Sequence, residues 1–476
     1  MIDSDADLET APAPEDENEA SPPEPSHDEE NRLTPDFVDA VIERVEAGDA
    51  EGARALVRPL HPADIADLFE LAPADQRAAL ATALAELLDG EVFAEMNDWV
   101  RDELFDALEP HQVAALATEL PTDDAVAIIE DLDADEQREV LRALDPDDRA
   151  AIEEALSYPE ESAGRLMQRD LVAVPEHWRV GDVIDYLRGN EDLTTDFWEI
   201  LVVDAAHHPV GTCKLSWILR TPRAVALADV MQREQTLIPV DMDQEEVALR
   251  FQKYALISAA VVDGAGRLVG MITVDDIVHI IQQEAGEDIL AMSLAGGGDI
   301  NQPLPSTIRT RMGWLLINLF TAVLAAAVVA AFQGTISRLV TLAVLMPIVA
   351  GMGGNAATQT MAVTVRALAT NQLTSSNTWR MILREWWIAS ANGIGLGVLM
   401  AIGCQLIYHD WGLSLVLFLA MLINSLNAGL SGVLIPIGLE KVRIDPAVTS
   451  TVFVTTMTDC MGFFSFLGLA ALFGLH

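Results

Sequence analysis

The sequence predicts a multidomain protein. Its parts are an all-α N-terminal helical superhelix, a tandem α/β pair, a connecting helix and a five-span α-helical transmembrane domain. Three observations predict this. Leu108, Leu120, Leu132, Leu144 and Leu156 recur every twelve residues among short helical patterns. Two central segments repeat one order of strands and helices. The last third of the chain holds five long apolar runs. A chain of 476 residues is also too long for a single hydrophobic core.

The net charge of −46 is unevenly spread. From Thr307 onward there are five acidic and eight basic residues, against 69 and 20 before it. An acidic soluble half is therefore joined to an apolar half. That charge repels nucleic-acid phosphates and attracts cations. The scattered Cys213, Cys404 and Cys460 suggest neither a disulfide framework nor a zinc cluster. The acidic, polar start MIDSDADLET is not a signal peptide.

Residues 1–33, with twelve acids, several prolines and one arginine, read as a disordered acidic tail. Residues 34–160 follow as the helical-repeat domain. Units such as ELPTDDAVAIIEDL and DLDADEQREVLRAL open on Pro, Asp or Thr, which suit helix N-termini. Helices this short cannot bury a core alone, so they should stack.

From about Glu161 the texture changes to short β-branched runs among helices. LIPVDMDQEEVALRFQKYALISAAVVDGAGRLVGMITVDDIVHII reads strand, helix, strand, turn, strand, helix, and EILVVDAAHHPVGTCKLSWIL repeats the order. The two copies, 161–230 and 231–283, resemble a pair of CBS domains, most specifically in VVDGAGRLVGMITVDD. Such pairs often bind adenine nucleotides. The family's ribose-contacting pattern is met in the second copy by Gly270, Thr273 and Asp276, so the resemblance implies ATP there. The first copy has Gly211, Lys214 and Trp217 and departs at both polar positions. Asp276 to Ser293 reads as a long acidic helix, which the glycines 296–298, Pro303 and Pro305 end. Residues 284–310 are assigned to this connecting helix and linker.

The transmembrane domain, 311–476, contains apolar segments at about 312–333, 339–368, 382–408, 413–439 and 447–474. Each can cross about 30 Å of hydrocarbon. Arg309, Arg311, Arg380, Arg384, Lys441 and Arg443 fall on one side of the bilayer, Arg338 and Asp410 on the other. By the positive-inside rule the soluble half is cytoplasmic and the C-terminus outside, in an inner or plasma membrane.

Polar residues within these spans mark the chemistry. PIVAGMGGNAATQTMAVTVRALA, in the second span, is a poor sequence to present to lipid, so it should face the bundle interior. In the fifth span Thr451, Thr455 and Asp459 stand on one helix face. A carboxylate there is costly unless it meets a wet pathway or a partner, and no basic residue lies nearby in the run. Asn424, Asn427 and Ser431 form a polar face on the fourth span and are expected to turn inward as well. Neutral oxygens around one carboxylate suggest a cation path. A hard ion fits better than a soft one, and Mg²⁺, which keeps its waters, suits few carboxylates.

GMGGNAATQTMAVTVRALA, the DPA…TTMTDCMGFF end, the CBS pair and the twelve-residue helical repeats together look like the MgtE family of magnesium channels and transporters. The resemblance covers nearly the whole chain after the tail. It implies a homodimer with the pore at the dimer interface, gated by cytoplasmic Mg²⁺ and not an enzyme. It makes Asp459 the pore carboxylate holding hydrated Mg²⁺, with Thr451, Thr455, Gly354, Asn355 and Thr358 lining the path. It also makes the acidic helix a plug, whose Asp276, Glu284, Glu287 and Asp288, with Asp445, would bind regulatory Mg²⁺ and close the pore when internal Mg²⁺ is high. His279, Gln282 and Gln283 stand where close relatives continue the acidic pattern.

Two other classes compete. A Na⁺- or H⁺-coupled divalent-cation exchanger would use Asp459 as a proton carrier. A signalling protein would use the membrane half as an anchor, but an anchor needs no polar stripes. No P-loop, GxSxG, HExxH or zinc-type spacing stands out, which argues against an ATP-driven pump or a hydrolase.

Overall fold

The computed structural model describes residues 26–130, 132–190, 193, 197–293, 301–302, 304–374 and 376–474, except for a few side chains, among them Asp288. The expected tail up to Pro25, the glycines 296–298 and Pro303 lie outside the described residues. The chain divides into two compact units that meet in sequence at Glu160 and Glu161, with Met167–Asp170 belonging to the first.

The first unit holds ten α-helices among its described residues: α1 (Pro35–Glu46), α2 (Ala50–Val57), α3 (Pro62–Leu71), α4 (Ala74–Leu84), α5 (Gly90–Glu95), α6 (Asp98–Phe105), α7 (Pro110–Thr118), α8 (Thr122–Glu130), α9 (Ala134–Ala143) and α10 (Pro146–Leu156). Start signals match residues: Thr34 caps α1 with Pro35 next, and Asp89 caps α5 through Val92 N–H. One continuous apolar core runs from Leu33 to Ala155. Leu144 is buried in it, and Leu108, Leu120, Leu132 and Leu156 pack at its edge. The repeat also recurs as a polar device. Arg77 Nε donates to the carbonyl of Phe69, Gln137 Nε2 to that of Ile129 and Arg149 Nε to that of Leu141. Each side chain reaches back eight residues to a last-turn carbonyl that its helix leaves unpaired. Charge composition assigned all of 1–33 to the tail, but its end is ordered. Leu33 is buried, His27 pairs with Asp64 at 3.2 Å, and Asp28 accepts from the backbone of Glu30 and Arg32. One apolar residue and one closed turn outweigh the surrounding charge.

The second unit opens with the CBS pair, which forms two matching three-stranded sheets. β1 (Ala173–Pro175) pairs parallel with β2 (Glu199–Val203), which pairs antiparallel with β3 (Pro209–Lys214). β4 (Leu237–Pro239), β5 (Ser258–Val262) and β6 (Leu268–Thr273) repeat the arrangement, down to a register shift at Val202/Val203 and again at Val261/Val262. Helices α11 (Val180–Gly189) and α13 (Gln244–Tyr254) make the crossovers, and α12 (Leu215–Arg220) follows β3. At the hairpin turns Asp204 and Asp263 each accept two backbone N–H groups. His207 takes φ 67° in the first turn, and Gly266 takes φ 80° in the second. The connecting helix α14 (Val274–Ser293) starts directly at the end of β6, ten residues before the boundary expected at 284.

Among the described residues five helices are long and apolar enough to cross a membrane: α15 (Leu304–Ala331), α17 (Thr341–Ala369), α18 (Thr378–Tyr408), α19 (Trp411–Lys441) and α20 (Pro446–Leu472). The short α16 (Gln333–Arg338) stands between the first two and had no sequence signal of its own. Pro305 is the second residue of α15, where a missing N–H costs nothing, so it starts a helix instead of breaking one. α19 is the most enclosed span and packs on α17, α18 and α20, while α15 contacts α20 and leaves most of its surface exposed.

Candidate functional site

α17 and α20 pack against each other, and two contacts fix their register. Thr451 Oγ1 lies 3.8 Å from Met361 Sδ, and a methyl on Gly462 would lie 3.4 Å from Ala350 Cα. The helices therefore run antiparallel, with Asp459 level with Gly353 and Gly354, and Thr455 level with Ala357 and Thr358. Tertiary packing thus brings the two polar stretches to one depth.

Hydroxyl orientation suits a cation. Thr455 Oγ1 donates to the carbonyl of Thr451 at 2.8 Å, and Thr358 Oγ1 to that of Gly354 at 3.0 Å. Both protons turn back into the helix, so the oxygens are left to accept. Thr455, Asn355 and Thr358 are exposed, while Asp459 and Gly354 are half-buried. Among the described residues no ion pair engages Asp459. Thr451 differs from the other two threonines: its hydroxyl donates to the carbonyl of Met292 at 2.9 Å. Met292 and Ala291, at the end of α14, pack against the apolar cluster of Ala357, Met361 and Val454.

The fourth span does not line this face as expected. Asn424 is 1 % exposed, and its Nδ2 donates to the carbonyl of Val349 at 2.8 Å. Ser431 is buried and donates to the carbonyl of Asn427, and Asn427 Nδ2 lies 3.5 Å from the carbonyl of Met457. These groups are absorbed by helix contacts, because α19 is surrounded by its neighbours.

The expected regulatory acids are spread out. Asp276 accepts from Thr273 Oγ1 at 2.7 Å, and Glu287 accepts from Gln283. Glu284 accepts from Gln244 Nε2 at 2.7 Å. Burial holds its carboxyl above the ordinary range against that hydrogen bond, and Glu287, Asp243 and Glu161 add to the rise. Asp445 caps α20 through Ala447 N–H. The Asp288 side chain lies outside the described residues. No three His, Cys, Asp or Glu side chains cluster closely enough for a metal among the described residues. Asp445 does line a cavity of about 460 Å³, with Asp243, Glu245 and Glu246 of α13, Asn371, and Glu440 of α19. Those added acids carry no local sequence signal, since two segments about 200 residues apart supply them.

At the position expected to take a nucleotide, Thr273 and Asp276 are joined by their own hydrogen bond. In the first copy Lys214 Nζ stands 5.9 Å over the Trp217 ring, and a methyl on Gly211 would lie 2.9 Å from the carbonyl of Gln232.

A multi-pass helical bundle with one polar seam, joined to a helical-repeat domain and a CBS pair, defines a membrane transporter. Residues 346–469 match the family model MgtE, described as a divalent cation transporter. Residues 60–161 match the MgtE intracellular N domain, and residues 227–283 match the CBS domain. The magnesium transporter MgtE of Enterococcus faecalis is 30% identical over 322 residues, 68% of this chain and 71% of that protein. The magnesium transporter MgtE of Bacillus subtilis is 27% identical over 446 residues, 93% of this chain and 99% of that protein. A crystal structure of the cytosolic domain of the Mg²⁺ channel MgtE in complex with ATP is 27% identical over 51% of this chain and 99% of that one, with a TM-score of 0.47. The chain belongs to the MgtE family.

Proposed function

We propose that this protein is a Mg²⁺ channel for uptake down the electrochemical gradient, with Asp459 as the carboxylate that holds the hydrated ion. The observation that carries the reading is the depth match of Asp459, which no ion pair engages among the described residues, with Gly354, Asn355 and Thr358. Mg²⁺ gives up its waters reluctantly, so neutral oxygens can hold the water shell while the carboxylate supplies charge. The exposed face of Thr455, Asn355 and Thr358 supports a homodimer in which a second copy closes the path and adds a second carboxylate. The soluble units are cytoplasmic and the C-terminus is outside, as the loop charges favour.

Gating is by cytoplasmic Mg²⁺. Acids of α13, α14 and the α19–α20 junction repel when bare; bridging ions draw α14 onto α20 and close the entrance. The bond from Thr451 to Met292 supports a closed arrangement of this kind. ATP would bind at Thr273 and Asp276 of the second CBS copy.

The test is Mg²⁺ flux into liposomes holding wild type or Asp459→Asn, across internal Mg²⁺ concentrations. Wild type conducts, the variant does not, and internal Mg²⁺ inhibits. Equal flux through both would overturn the pore assignment. Flux that needs an imposed Na⁺ or H⁺ gradient would make the protein an exchanger.

A further inference from the structure

We propose that Asn424 is a positioning residue that sets the separation of α17 from α20 at the depth of Asp459, and thereby the preference for Mg²⁺ over Ca²⁺. The inference rests on the cation path proposed above.

The Asn424 amide sits at the junction of three spans. Its Nδ2 donates to the carbonyl of Val349 in α17 at 2.8 Å. A methyl on Gly353 would lie 2.0 Å from that nitrogen, and one on Gly462 of α20 would lie 2.9 Å from it. Glycine on both sides thus makes room for one planar amide between the pore helices. Gly353 is next to Gly354, and Gly462 is one turn from Asp459. The amide stands beside the direct approach of Gly462 to Ala350, and together they hold the spacing between the carboxylate and the α17 oxygens.

Simple helix adhesion does not account for this residue. Asn424 Oδ1 is buried and meets no protein donor among the described residues. A buried unpaired oxygen is costly, whereas hydrogen bonds between membrane helices are weak on average. An apolar side chain that fitted the site would fill it without that cost. What it could not do is hold the Val349 carbonyl, and with it the α17 register, at a fixed position.

Mg²⁺ demands near-ideal octahedral geometry and keeps its waters, while Ca²⁺ accepts looser, variable coordination. A spacing that is held rigid favours Mg²⁺, and one that can relax admits Ca²⁺.

The experiment measures Mg²⁺ and Ca²⁺ flux in liposomes for wild type, Asn424→Leu, Gly462→Ala and Asp459→Ala, each checked for a monodisperse fold. Asn424→Leu keeps the branching at Cγ, adds bulk and removes the donor. Gly462→Ala keeps the donor and presses a methyl onto the amide. Both are expected to lower the Mg²⁺:Ca²⁺ flux ratio about tenfold, the scale of one buried hydrogen bond. Both should do so through the Ca²⁺ flux more than the maximal Mg²⁺ flux. If Asn424→Leu fails to fold, the Gly462→Ala ratio decides alone. Wild-type ratios in the folded variants overturn the role of Asn424 while a silent Asp459→Ala leaves the path intact. An Asp459→Ala protein that conducts like wild type overturns the path itself.

Discussion

The hydroxyl of Thr451 donates to the main-chain carbonyl of Met292 at 2.9 Å. Met292 is the second-last residue of α14, and Thr451 is two turns from Asp459 on α20. The helix leaving the CBS pair therefore ends on the helix that carries Asp459. The last carbonyls of a helix have no partner within it, and the Thr451 hydroxyl supplies one.

Thr451→Val keeps the shape of this contact and removes the donor. The docked position of α14 is expected to lose about 1 kcal/mol, roughly a fivefold change in its equilibrium. In proteoliposomes the internal Mg²⁺ needed for half-inhibition rises by that factor. An unaltered inhibition curve would mean that the bond has no part in closure.

Gly353 and Gly354 are adjacent and behave oppositely. A methyl on Gly353 meets the Asn424 amide at 2.0 Å, and one on Gly354 meets nothing within 4 Å. Gly353→Ala is expected to cost about 1–3 kcal/mol through overpacking. Gly354→Ala costs no stability. Thermal unfolding of the two variants in detergent checks the contrast.

Arg77 is buried in the first unit and ties α4 to α3. It donates to the carbonyls of Phe69 and Glu70 and pairs with Glu103 at 2.8 Å. Arg77→Met preserves the apolar stem and strips the cap from the end of α3. The expected loss is about 1.5–3 kcal/mol, the range for hydrogen bonds to a charged group. Hydrogen exchange in the full chain should show faster amide exchange through α3 and α4 while the CBS pair is unaffected.

Cys213 lies in β3 with its side chain in the core of the first CBS copy. Burial, with Glu199 nearby, pushes its thiol up to about 11 from an ordinary 9.0. The thiol is therefore neutral and inert to alkylation at pH 8. Between those two values the unfolded thiol ionises and the folded one does not, so stability falls as pH rises from 9.0 towards 11. Cys213→Ala lowers stability at neutral pH through lost packing but removes this alkaline decline. Denaturation midpoints of both proteins against pH test it.

Much of the architecture was readable because the physics behind it is local. The Leu108–Leu156 spacing, the Asp and Pro helix starts and the twin hairpins at Asp204 and Asp263 each depend on a few neighbouring residues. The stripe of Thr451, Thr455 and Asp459 is a property of one helix and followed from its period. Periodicity did not tell which face of α19 meets lipid, path or protein, so Asn424 was placed in the path although it is buried beside it.

The sequence by itself determined the order of the parts, the five apolar spans and the candidate carboxylate, since composition, helix period and bilayer thickness act along the chain. Only the tertiary structure decided that Asp459 shares its depth with Gly354 and Thr358, that Thr451 is taken up by Met292, and that Asn424 fills the gap left by Gly353 and Gly462. Those are contacts between segments up to 159 residues apart, fixed by how whole helices pack.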